Sequence, residues 1–319
     1  MFRKVLVAID RETLGADAIA LATRIAPGAR LSFAHVHNGF PFGVDAANRQ
    51  ELDREASDEL LAQAIEACGL EAERCQIDSF RIGAGLHRLI DETHPDLLVI
   101  GSTRTARVGR VLVTDELAQA LNGAPCALAV APLGYSEDDV PLAEIGVAYD
   151  GAPESVAALV AGMEIAERAH ARSVVFRVAP LPHGELRHGV WDTYAAAIRD
   201  RVAEVRVGIE NELETLGVAQ HGGIESQAAC GETVEELALF SSYVDLLLLG
   251  SRGYGPPGRL VYGATTARML RNARTPLLLM PRAQVGATLL PDRAQLERWA
   301  GTGPQSSASV APTVSGRAR

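Results

Sequence analysis

Short apolar runs alternate with amphipathic stretches along most of the chain. Lys4–Asp10, Leu31–Val36, Pro95–Ser102 and Ala124–Val130 are apolar enough to predict strands buried on both faces. Glu144–Asp150, Ser173–Val178, Val244–Ser251 and Thr275–Met280 have the same character. Between them, apolar residues recur at helical spacing over Ala16–Ile25, Glu51–Cys68, Leu86–Thr93 and Glu116–Leu121. The pattern returns at Ser155–Arg168, Thr193–Leu216, Thr233–Ser241 and Thr266–Asn272. Strands apolar on both faces require helices on both sides of their sheet. The alternation therefore predicts an α/β fold with parallel, doubly wound sheets, right-handed crossovers and ligands at the carboxyl ends of the strands.

The eight strand runs are four pairs. Lys4-Val-Leu-Val-Ala-Ile-Asp10 matches Glu144-Ile-Gly-Val-Ala-Tyr-Asp150, and Leu31–Val36 matches Ser173–Val178. Pro95-Asp-Leu-Leu-Val-Ile-Gly-Ser102 matches Val244-Asp-Leu-Leu-Leu-Leu-Gly-Ser251, and Ala124–Val130 matches Thr275–Met280. Four matched blocks in one order indicate a duplication. The expected organisation is a first domain at 1–136, a polar linker around Gly134–Pro141, a second domain at 142–283 and a tail at 284–319. One short helix is expected at Asp292–Ala300. Beyond it the tail is rich in Gly, Ser, Thr, Ala and Pro, so disorder is expected there.

Composition narrows the function classes. The chain is 47% hydrophobic and 22% charged, which is globular. Its 319 residues suffice for a real core without disulfides. A formal charge of −10 argues against nonspecific nucleic-acid binding. Cys68, Cys75, Cys126 and Cys230 form no CxxC pair or metal-like spacing, and read as thiols in a reducing compartment. The uncharged stretch Leu117–Ser136 is broken by Gly123, Pro125 and Pro132, so no membrane span is expected. No targeting signal is visible, and a cytoplasmic location is expected.

Candidate chemistry concentrates after the strand at Val244–Ser251. The segment from Gly250 through Gly253, Gly255, Gly258 and Gly263 to Thr266 leaves a buried strand, passes a glycine-rich loop and enters a helix. Glycines let backbone amides approach an anion. A helix start adds unpaired N–H donors and a partial positive charge, so together they can hold phosphate. Thr265 and Thr266 add hydroxyls at that rim.

The spacing of Gly250, Gly253 and Gly263, with the opening Val147-Ala-Tyr-Asp150-Gly-Ala-Pro-Glu-Ser155, resembles the universal stress protein family. The resemblance covers about 3–133 and 143–282 and implies two tandem five-stranded, Rossmann-like domains of the adenine nucleotide alpha hydrolase-like kind. It also implies ATP or AMP as ligand, with Mg²⁺ as an accompanying ion. Family members pair through their last strands, which here implies an intrachain pseudo-dimer of Cys126–Val130 with Leu277–Met280. Carried over residue by residue, Asp150 and Gly151 stand near the adenine or ribose, and Val178 at the adenine edge. Gly250, Arg252, Gly253, Gly263, Ala264, Thr265 and Thr266 form the phosphate loop. Ala264 stands where the family usually has Ser or Thr, removing one hydrogen bond worth about 0.5–1.5 kcal/mol. Pro256 and Pro257 stiffen the loop.

The first half departs further. Arg104 and Thr114 replace the second and third glycines, and Thr114-Asp115-Glu116 makes a capped, acidic helix start where phosphate would go. Arg104, Arg107 and Arg110 are expected to neutralise those acids as an internal ionic lock, with no ordinary nucleotide site in this half. His35 and His37 share a strand face, but without a third ligand no metal site is expected. Tyr254 and Tyr262 flank the glycine loop, and His183, Glu185 and His188 read as a surface loop.

The reading is a tandem stress-response module that senses an adenine nucleotide in its second half and is read by a protein partner not named by the sequence. The two halves satisfy each other or stack into higher oligomers. The alternative is a nucleotide-independent scaffold. Without a Walker lysine or a Ser/His/Asp arrangement no catalytic residue is assigned, and slow ATP hydrolysis is the lesser third reading.

Overall fold

The computed structural model of the chain describes residues 2–37, 46–137, 141–181, 191–219, 223–251 and 259–281. The expected helix at Asp292–Ala300 and the tail lie outside them, as do His183, Glu185, His188, Tyr254, Pro256 and Pro257. In the first half the strands are β1 (Lys4–Ala8), β2 (Arg30–His37), β3 (Ala72–Asp78), β4 (Leu97–Gly101) and β5 (Ala127–Ala131). They alternate with α1 (Ala16–Ile25), α2 (Ala46–Cys68), α3 (Ile82–Thr93) and α4 (Asp115–Leu121). The second half repeats the series. Its strands are β6 (Glu144–Ala148), β7 (Arg172–Ala179), β8 (Ile224–Cys230), β9 (Leu246–Gly250) and β10 (Leu277–Met280). Its helices are α5 (Pro153–Ala169), α6 (Trp191–Thr215), α7 (Thr233–Phe240) and α8 (Ala264–Asn272).

All ten strands form one sheet, in the order β3-β2-β1-β4-β5-β10-β9-β6-β7-β8. Every pairing within a half is parallel. The join between the halves is antiparallel, with Leu277 opposite Val130, Leu278 opposite Ala129 and Leu279 opposite Leu128. This is the pseudo-twofold pairing expected from the resemblance.

Strand periodicity divides the core into two layers. Val5, Val7, Leu97, Val99 and Leu278 face α1, α2, α5 and α6. Leu6, Leu98, Ile100, Leu277 and Leu279 face α3, α4, α7 and α8. Both layers run across the two halves. At the opposite end from the carboxyl termini, Asp96 accepts the amides of Arg3 and Lys4, at 2.8 and 2.9 Å. Asp245 does the same for Ala143 and Glu144, both at 2.8 Å. The acid shared by two of the matched blocks is thus a clamp on the start of each half.

Two features depart from the expected pattern. The runs Ala72–Asp78 and Ile224–Cys230 were not among the predicted strands. They are the sheet's edges, half-exposed and polar. Helix α3 begins four residues before the expected Leu86, through Gly83 and Gly85. A Cβ on Gly83 would lie 2.1 Å from that of Ala120, and one on Gly85 2.5 Å from Val36 Cγ1. These glycines lower helix propensity but permit close packing on α4 and β2.

The halves are also laced by loops. The amides of Val111 and Val113 donate to Ala273 O and Leu270 O at 3.0 and 2.9 Å. Reciprocally, Gly123 N donates to Leu260 O at 2.7 Å and Leu260 N to Ala124 O at 2.8 Å. The linker start is anchored too, because Asp17 accepts the amides of Gly134 and Ser136, both at 2.8 Å.

Leu278, fully buried on the antiparallel seam, tests its weight. Leu278→Ala should cost about 2–5 kcal/mol in equilibrium urea unfolding, both halves losing stability together. A loss confined to the second half's signals would contradict a single cooperative sheet.

Candidate functional site

Parallel strands carry their connecting loops to the carboxyl edge, and a crevice opens where neighbouring connections leave in opposite directions. In the second half that crevice is a cavity of about 300 Å³ over β6, β7 and β9, walled by the starts of α5, α7 and α8. Asp150, Val178 and Gly250 line one side of it, and Gly263, Ala264, Thr265 and Thr266 line the other. Gly151 is not in the wall, though it adjoins Asp150. Arg252 and Gly253 lie outside the described residues.

Asp150 and Ser155 organise the turn into α5. Asp150 Oδ1 accepts the Ala152 amide at 3.0 Å, while Asp150 N–H donates to Ser155 Oγ at 3.3 Å. The Ser155 hydroxyl donates in turn to Ala152 O at 2.9 Å. Gly151 has φ +84°, a left-handed conformation that favours glycine. Gly250 and Gly263 line the cavity without a left-handed backbone. A Cβ on Gly250 would lie 2.6 Å from the carbonyl carbon and oxygen of Glu154, so Gly250 is required by the packing of α5 on β9.

The end of the cavity with free backbone donors is the start of α8. Gly263 precedes it in extended conformation, with no side-chain cap and no acid in the first turn. The amides of Ala264, Thr265 and Thr266 precede the first intrahelical bond, Ala267 N to Gly263 O at 2.9 Å. Thr266 is buried in the wall, and so is Ser251. Ser251 Oγ has no hydrogen-bond partner among the described residues. Its counterpart in the first half, Ser102, donates to Ala131 O at 2.7 Å and accepts the Leu112 amide at 3.1 Å. Among the described residues the equivalent hydroxyl is thus bonded in the first half and faces the cavity wall in the second. Ser251 was within the quoted motif yet was not singled out. Its signal was adjacency to Gly250 at the strand end.

Sequence reasoning also missed Arg177. It lines the cavity from β7 and makes a two-pronged ion pair with Glu212 of α6, Nη1–Oε1 2.9 Å and Nη2–Oε2 2.6 Å. Arg177 Nε donates to Tyr149 O at 3.3 Å, and its guanidinium lies 5.1 Å from the centre of the Tyr149 ring. The hydrogen bond from Arg177 holds the Glu212 carboxyl below its usual range, against the opposing effect of burial. Burial, then the Glu212 charge, push the Tyr149 hydroxyl up to about 12. The guanidinium is therefore already committed to a carboxylate.

The first half ends differently. Thr114 Oγ1 caps α4 by accepting the Leu117 amide at 3.3 Å, with Asp115 and Glu116 in the first turn. The expected lock with Arg104, Arg107 and Arg110 is not what forms. Asp115 pairs with Arg271 of α8, Glu116 lies 3.9 Å from Arg81, and Arg104 pairs with Glu12. Arg110 instead donates to Asn272 O at 3.4 Å. The partner of Asp115 comes from the other half because the antiparallel seam brings α4 and α8 together. Asp10 is drawn into its own loop: burial would raise its carboxyl, but the Thr13 hydroxyl and the amides of Thr13 and Glu12 hold it below the usual range. Nδ1 of His35 lies 2.7 Å from Ile9 O, and His37 lies 3.9 Å from Asp78. Among the described residues no group of three or more His, Cys, Asp or Glu is arranged to hold a metal ion.

Two predictions follow from these contacts. Gly250→Ala should lose about 1–3 kcal/mol by overpacking against α5, whereas Gly101→Ala, with open space at the equivalent point, should stay within about 0.5 kcal/mol; chemical denaturation reads both. Because Glu212 titrates lower in the folded chain, its stabilisation is present above the ordinary carboxylate pKa and is lost as pH falls through the lowered one. The gap in Tm between the native chain and Glu212→Gln should thus be open at pH 7 and narrow progressively as pH falls below the ordinary glutamate pKa of about 4.3.

The sequence profile of the universal stress protein family matches residues 1–132 and 143–281. Universal stress proteins of Mycobacterium tuberculosis and Mycobacterium bovis are each 22% identical over 209 residues, spanning 63% of this chain and 69% of theirs. Among solved structures, a universal stress protein from Archaeoglobus fulgidus superposes with a TM-score of 0.61 at 14% identity, covering 88% of this chain and 98% of that one. A Pseudomonas aeruginosa protein described as functionally unknown gives 0.54 at 16% identity, covering 94% and 97%. With both halves matched in tandem and the same fold beneath them, the chain belongs to the universal stress protein family.

Proposed function

We propose that the second half binds an adenine nucleotide, ATP or AMP, and that the protein acts in stress response as a ligand-sensing module. The supporting observation is the contrast between two equivalent helix starts. Helix α4 opens on a capping threonine and two acids. Helix α8 opens on Gly263 with no acid and no side-chain cap, in the same wall as the hydroxyl of Ser251, which has no partner among the described residues. Only the second can receive negative charge favourably. In this reading the phosphates meet the amides of Ala264, Thr265 and Thr266 and the hydroxyls of Ser251 and Thr266. Asp150 and Val178 border the base and ribose, and Arg252 and Gly253 complete the phosphate loop. Mg²⁺ would accompany a triphosphate as part of the ligand. A partner protein would read the occupied surface, and no catalytic step is assigned to the chain.

A nucleotide-independent scaffold is the second reading. It is favoured by the modest cavity of about 300 Å³, at the low end for small-molecule sites, and by Ala264 in place of a hydroxyl residue.

Ala264→Asp tests the lead reading, because it gives α8 the first residue that α4 has in Asp115. An acid at a helix start leaves stability equal or higher while repelling phosphate. Titration calorimetry should give saturable binding of ATP or AMP to the native chain, weakened roughly tenfold or more in the variant. Equal affinity in both, or no binding to the native chain at millimolar nucleotide, favours the scaffold.

A further inference from the structure

The first half has its own crevice over β1, β2 and β4, and it is larger, about 690 Å³ against about 300 Å³. The two cavities occupy equivalent positions, so their walls can be compared side chain by side chain. Ala34 pairs with Ala8 as Phe176 pairs with Ala148, which makes Ala34 the counterpart of Phe176. Phe176 stacks on Phe240, ring centres 4.2 Å apart, and fills its cavity from below. Ala34, itself buried, carries only a methyl group there. Helices α3 and α7 open with Ile82 and Thr233, and the third residues of α4 and α8 are Leu117 and Thr266. All four line their cavities. At these positions the first half has two alkyl groups where the second has two hydroxyls, and a methyl group where the second has an aromatic ring.

Its charges point the same way. Asp10, Glu12, Asp17 and Asp53 stand in or at the wall against Arg11 and Arg104, and Arg104 is paired with Glu12. An anion would meet an excess of carboxylates there. His35 takes the place of Arg177. Burial lowers its pKa, favouring the neutral ring. A carbonyl only accepts, so Nδ1 carries the proton donated to Ile9 O at 2.7 Å. Nε2 of the neutral ring is then an acceptor.

We propose that the first half holds a separate site for an uncharged, mainly hydrophobic small molecule carrying one N–H or O–H donor, and that it excludes phosphate-bearing ligands. A cavity of this volume is ordinary for such ligands. The alkyl groups of Ile82, Leu86, Ile100 and Leu117 supply the apolar walls and His35 the acceptor. This site does not depend on nucleotide binding in the second half.

Indole is a suitable probe, an aromatic ring with a single N–H donor. Calorimetric titration of the full chain, with and without millimolar ATP, should give one indole site per chain whose affinity ATP does not change. Ala34→Phe restores the second half's filler, and Ile82→Asp sets a charge on the exposed rim, at 62% exposure, where an acid also suits a helix start. Each should weaken indole binding about tenfold or more. The effect of ATP on the native chain should be the same in both variants. Absence of saturable indole binding, equal affinity in the native chain and in Ile82→Asp, or displacement of indole by ATP would overturn the proposal. Ile82→Asp alone decides it if Ala34→Phe does not fold.

Discussion

The antiparallel contact of β5 with β10 makes one sheet out of two halves, and the other features of the molecule depend on it. Each half by itself would end in a strand of buried apolar residues with one row of backbone groups unpaired, an edge that folded proteins avoid. Joining the two edges satisfies both rows at once and lets two continuous apolar layers run beneath the helices of both halves. The exposed edges of the combined sheet are then β3 and β8, where polar residues are tolerated.

That join also decides what each crevice can become. Where the halves meet, the loops entering α4 and α8 lie against each other's helix ends, through Val111, Val113 and Leu260. With the backbone fixed in duplicate, side chains were free to diverge. Thr114-Asp115-Glu116 closes one helix start to anions, while Gly263-Ala264-Thr265 leaves the other open. Phe176 is the counterpart of Ala34 in the two walls, and Arg177 and His35 each donate to the strand-end carbonyl, of Tyr149 and of Ile9, while Arg177 also pairs with Glu212. One chain therefore carries two crevices of different chemistry on one architecture.

Much of this was legible in the sequence, for identifiable reasons. Runs such as Leu97–Gly101 are apolar on both faces, and only a central parallel strand asks for that. Asp150, Val178 and Gly263–Thr266 come together because strand ends and helix starts of one βα unit converge by topology. The edge strands were illegible because half-exposed residues carry no strong period, and the start of α3 because Gly83 and Gly85 disguise a helix that needs close packing. That Gly250 also packs against the backbone of α5 was not legible. The pairing of Arg177 with Glu212, and of Asp115 with Arg271, joins side chains far apart in sequence. No local pattern encodes such partners; they depend on the register of elements that only the folded sheet brings into line.

The lacing has a mechanical consequence for α8, whose start walls one end of the second cavity. Its approach is held by the first half: Leu260 exchanges backbone hydrogen bonds with the turn at Gly123 and Ala124, Arg259 donates to Gly123 O at 2.8 Å, and the Tyr262 amide donates to Asn122 Oδ1 at 3.1 Å. Its far end is held as well, by the amides of Val111 and Val113 and by Asp115 on Arg271. A short helix gripped at both ends by another unit cannot shift without moving that unit or breaking those bonds. The half with the capped, acidic helix start is thus the frame in which the other helix start keeps its shape. Asn122 and Val113 thereby bear on the geometry of a cavity that neither residue lines.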